Sequence, residues 1–115
     1  MPRNESKVIG VFAYRSRSEV ICTDVDACVI AGSEEAMRHH YESTHSRRSD
    51  ELTIRKTRFG EIVQGMMAGA AYAFDRDAYS RFYPLAKDLG LPVEPAEFTN
   101  ECRFFVVRLG IAAPN

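Results

Sequence analysis

Lys7 to Tyr14 (KVIGVFAY) is rich in β-branched and aromatic side chains and runs into the charged, serine-bearing Arg15-Ser16-Arg17-Ser18. That pattern predicts a strand entering a turn, with Glu19 to Thr23 as its hairpin partner. Asp24 and Asp26 flank Val25 in a turn-like stretch, and Cys28-Val29-Ile30-Ala31 follows as a buried strand or as the end of a bulged long one. Gly32 breaks the pattern, and Ser33 is placed to cap a helix, because its hydroxyl accepts from an otherwise unpaired helix N–H. Glu34 and Glu35 then sit in the first turn, where the helix dipole favours negative charge. This helix is expected to run to about Ser43, with Ala36, Met37, His40 and Tyr41 on one side and Glu34, Glu35, Arg38 and Glu42 on the other.

Thr44 to Glu51 is polar and aperiodic, the profile of an exposed loop. Leu52 to Thr57 alternates weakly and predicts a short strand. Phe59, Ile62, Val63, Met66, Met67 and Ala70 are spaced as one helix face, with Gly69 suited to the C-terminal cap. Ala71 to Phe74 reads as a strand. Asp75 caps a further helix with Tyr79, Phe82, Tyr83, Ala86 and Leu89 on its inner face and Gly90 as its stop. Pro84 interrupts it and predicts either a kink near Arg81 to Tyr83 or two short helices, since proline lacks the N–H and crowds the preceding turn. Cys102 to Leu109 is the last strand; being apolar on both faces at Phe104 to Val107, it is expected at the centre of its sheet. These elements predict an α+β fold: a mixed sheet of about four or five strands with about three helices packed mainly on one face.

The 115 residues suit a single domain, residues 1–115, with a flexible N-terminus at 1–6 and a C-terminal tail at 110–115. Hydrophobic residues make up 45% and charged residues 27% of the chain, which separates it from disordered chains. The longest apolar run, Ala27 to Ala31, is too short to span a bilayer, and the polar N-terminus does not read as a secretory signal. Three cysteines, Cys22, Cys28 and Cys102, lack paired metal or redox spacing and are read as buried thiols in a reducing, cytoplasmic setting.

Net charge is only −1, but the segment from Arg38 to Arg58 holds six basic residues against three acidic ones, and all three histidines. Arg47, Arg48, Arg55, Lys56 and Arg58 are candidates for phosphate contact, with Tyr41 and Phe59 near enough in sequence to stack on bases. If such a surface cleaved RNA, His39, His40 or His45 would move protons, with Glu61 as a second acid–base group. Adjacent His39 and His40 point about 100° apart on a helix, and His45 is expected beyond the helix end, so the spacing opposes a metal site; no metal or cofactor is assigned. The aromatic series at Tyr72, Tyr79 and Tyr83, with Arg81 as an anion anchor, suits a small-ligand pocket, although core packing explains the same pattern.

No phosphate-loop, dinucleotide, metalloprotease or nucleophile-elbow motif occurs, which disfavours the enzyme classes that depend on them. The leading expectation is a non-catalytic binding or regulatory module acting through protein contacts, a homodimer among them, with Met66 to Ala71 as an adaptable surface. An RNA-directed protein and a small-ligand binder are the alternatives.

Overall fold

The structure, a computed structural model, describes residues 3–16, 26–45, 48–99 and 103–109. The regular elements are β1 (Val8–Ser16), β2 (Ala27–Ala31), α1 (Glu34–His45), β3 (Arg55–Arg58), α2 (Phe59–Met67), β4 (Tyr72–Phe74), α3 (Arg76–Leu89) and β5 (Phe105–Val107). The strands form one open sheet in the order β3-β1-β2-β4-β5. β2 and β4 run parallel and the other neighbouring pairs antiparallel, so the α+β class is as expected. Expectations on Glu19 to Thr23, Asp24, Cys22, Arg47, Cys102 and 110–115 fall outside the described residues.

Alternation along β2 sorts the core into two layers. Ile30 joins Ile9, Phe74, Ile62, Met66, Tyr79 and Phe82 on the face covered by α2 and α3. Ala27, Val29 and Ala31 join Met37, Ala73 and Phe104 on the face covered by α1. Two helices therefore share one face and the third takes the other.

Local chemistry fixes the helix ends. The Ser33 hydroxyl accepts the Ala36 N–H at 3.1 Å, as expected of a cap. Asp75 accepts the Ala78 N–H at 2.8 Å and also takes the Gly32 N–H at 3.0 Å, so one carboxylate ties the start of α3 to the turn after β2. α2 closes through Gly69, whose φ of 98° suits glycine, while the Ala70 N–H reaches back to the Gly65 carbonyl. Gly90 ends α3 in the same left-handed conformation.

Several expectations need correction. β5 lies at a sheet edge, not at its centre: Phe104 and Val106 pack in the α1 layer while Phe105 and Val107 pack in the α3 layer. Helices on both faces, rather than strands on both sides, explain its apolar character. The two alternatives at Pro84 resolve to a single helix, as the apolar period crossing that residue favours: α3 runs through it, with Tyr79, Phe82 and Ala86 burying one face. α1 continues to His45, so that residue is helical. Ser49, within the segment read as an exposed loop, is buried, with its N–H and hydroxyl on the Glu42 carboxylate and its carbonyl on Arg38. Arg3–Ser6, within the stretch read as flexible, form a 3₁₀ turn whose Ser6 carbonyl accepts from Arg58 at 2.8 Å. Cys28 is half-buried rather than buried.

Candidate functional site

A concave site that combines polar side chains with an aromatic wall lies on the α2 side of the sheet. Phe12 from β1, Cys28 from β2, Arg55 and Thr57 from β3, Tyr72 from β4, and Glu61, Gln64 and Gly65 from α2 enclose about 340 Å³. That volume falls at the small end of ligand pockets.

Strand register assembles it. Arg55 stands opposite Phe12 on the antiparallel pair, and its guanidinium lies 4.4 Å from the Phe12 ring centre. Thr57 projects from the same strand face two residues on. Cys28 stands opposite Tyr72 on the parallel pair, and Arg15 stands opposite Cys28 on β1.

α2 supplies the facing wall. Glu61 is held at both oxygens, accepting Arg55 Nη1 at 2.9 Å and the Arg58 N–H at 3.2 Å. The Arg55 hydrogen bond holds the Glu61 carboxyl below its usual 4.5; desolvation opposes this, and the Arg58 N–H and the charges of Arg55 and Arg58 reinforce it. Gly65 has no side chain, and the Tyr72 phenol occupies the space a β-carbon there would fill. Burial pushes the Tyr72 hydroxyl above 10.0, with Cys28 and Glu61 adding to the shift and Arg55 and Arg15 opposing it.

One wall group is unsatisfied. Thr57 is only 2% exposed, and its hydroxyl has no hydrogen-bond partner among the described residues. A buried hydroxyl without a partner is destabilising. The Cys28 thiol, the Gln64 amide and the Tyr72 hydroxyl line the same space.

The structure thus unites Arg55, Glu61 and Tyr72, which the sequence suggests for three different chemistries. It disperses the remaining candidates. His40 packs in the α1 layer, 4.4 Å from the Phe104 ring, on the opposite side of the sheet from Glu61. His39 borders a shallow acidic cleft with Glu34, Glu35 and Glu42. Arg48 pairs with Asp50 at 3.1 Å, Arg58 serves the N-terminal turn, and Lys56 alternates to the sheet face opposite Arg55.

Tyr79 is buried in the core and donates to the Glu94 carbonyl; burial pushes its hydroxyl up to about 12. Tyr83 packs against that core with its ring tilted, its centre 5.7 Å from that of Tyr79. Arg81 donates to the Ile9 and Gly32 carbonyls and to Asp77, which makes it a tie between elements.

Sequence reasoning passed over Phe12, Thr57, Gln64 and Gly65. Gly65 carried a signal, because glycine inside a helix is unfavourable by about 1 kcal/mol relative to alanine and implies a close approach. No family model, curated protein or solved structure matches this chain.

Proposed function

We propose that the protein is a small-ligand-binding module whose ligand sits between the sheet and α2, against Phe12, Arg55, Thr57, Glu61, Gln64 and Tyr72. The observation that supports this most is the Arg55 guanidinium, held by the Phe12 ring and by Glu61 at the wall of a cavity of about 340 Å³. A ligand acceptor could take the remaining Arg55 donors, with the Phe12 and Tyr72 rings beside it. The test is a thermal-shift screen of a small-molecule library against the native chain and against Gly65→Ala, in which the Tyr72 wall is displaced. Compounds that raise Tm in the native chain and lose that effect in the variant support the reading. Compounds that stabilise both equally oppose it.

Association through protein contacts is a second reading with its own observation. A cleft of about 300 Å³ between the N-terminal turn, α2 and α3 is lined by Phe59, Val63, Leu85 and Leu89, with Glu5 and Asp88 among its polar members. Leu89 and Met67 are the most exposed large apolar side chains among the described residues. Sedimentation equilibrium tests it: a dimer abolished by Leu89→Asp supports a second copy at this cleft, and a monomer across the concentration range opposes it.

A further inference from the structure

The charge around the cavity narrows the ligand class, on the reading that the cavity is the ligand site. Two arginines stand at its walls and one carboxylate offsets them. Arg55 lines the cavity and Arg15 stands opposite Cys28 on β1, while the Arg58 guanidinium is engaged by the Ser6 carbonyl. Arg15 also borders a second cleft with Arg108 and Asp26, which adds one charge of each sign. The local balance is positive even with Glu61 ionised.

Arg55 is shaped for recognition. Its flat face rests on Phe12 and one terminal nitrogen is held by Glu61, which fixes the plane of the fork. A guanidinium carries five N–H donors, so the bond to Glu61 leaves donors for a second acceptor. The arginine fork matches carboxylate geometry. Phe12 and Tyr72 offer ring surfaces to an apolar body, and Gln64 lines the same space as a neutral polar residue.

Glu61 sets the upper limit on ligand charge. A phosphate dianion beside a fixed carboxylate would meet repulsion that a single negative charge meets at half the strength. A cation would face Arg55 and Arg15.

We propose that the cavity takes a small monocarboxylate with a planar or compact apolar body, its carboxylate on Arg55 and its body between Phe12 and Tyr72.

Benzoate, benzamide and benzylamine share one ring and differ in charge, so they test this directly. Each is titrated into ¹⁵N-labelled protein while the amide resonances of Thr57, Gln64 and Gly65 are followed. Benzoate is expected to shift these resonances and to bind about ten-fold tighter than benzamide, the increment of a charge-assisted hydrogen bond. Arg55→Gln should remove the preference for benzoate over benzamide, with the dispersed amide spectrum of the folded protein kept. Glu61→Gln should raise the preference for benzoate over benzamide. Benzamide or benzylamine binding as well as benzoate at these resonances overturns the monocarboxylate while leaving the cavity as a ligand site. If none of the three probes shifts these resonances at millimolar concentration, the ligand site itself is overturned.

Discussion

The Tyr72 phenol lies against the backbone of α2 at Gly65, in the space that a β-carbon at residue 65 would fill. The close approach lets a strand residue form one wall of the cavity while a helix forms the other. Gly65→Ala should therefore have two opposing effects on stability. Alanine favours the helix by roughly 1 kcal/mol, and displacement of Tyr72 offsets that gain. The expected outcome is a net change within about 1 kcal/mol by denaturant titration, with small-molecule binding lost. Unchanged binding would show that Tyr72 is not part of the site.

Thr57→Val replaces an unpartnered buried hydroxyl with a methyl group of the same shape. Relief of that desolvation should stabilise the fold by about 1 kcal/mol. Equilibrium unfolding in urea measures this effect, and a fall in stability would mean that the hydroxyl is already satisfied.

Asp75 joins two elements through one carboxylate, capping α3 at Ala78 and holding the Gly32 N–H. Its loss removes a cap and leaves a partly buried N–H without its partner. Asp75→Ala should destabilise by about 2 kcal/mol, more than an isolated cap, and Asp75→Asn by less. Equal effects for the two variants would show that the bond to Gly32 contributes nothing.

Glu61 makes stability depend on acid. Its folded pKa is depressed below 4.5, chiefly by Arg55, so its contribution is complete above that pH and fades as pH falls through the lower folded value. Glu61→Gln should flatten the stability curve below about pH 4.5. At neutral pH it should cost less than about 1 kcal/mol, because both partners are well exposed. Curves that stay parallel down to pH 3 would contradict the assignment.

The parts of this molecule legible in its sequence are those decided locally. Ser33 and Asp75 announce their helices because a cap acts within three residues, and Gly69 and Gly90 mark helix ends because of the backbone they permit. The place of β5 was not legible. An apolar run at Phe104 to Val107 looks the same whether strands flank it or helices cover its two faces. Pro84 reads locally as a break, yet Tyr79, Phe82 and Ala86 carry one buried face across it.

The site was legible only in fragments. Arg55, Glu61 and Tyr72 are each conspicuous, but they meet through antiparallel β1–β3 pairing, parallel β2–β4 pairing and the position of α2 over both, none of which the chain's periodicity encodes. Phe12 and Thr57 look like ordinary strand residues until register places one beneath Arg55 and leaves the other without a partner.

The central claim is that small molecules bind between the sheet and α2, and the most direct measurement is a crystallographic fragment soak. The account predicts fragment density against Phe12, with polar atoms within hydrogen-bond distance of the Arg55 guanidinium. Fragments that collect instead between Val63, Leu85 and Leu89, with the Thr57 cavity empty or filled only by water, would contradict it.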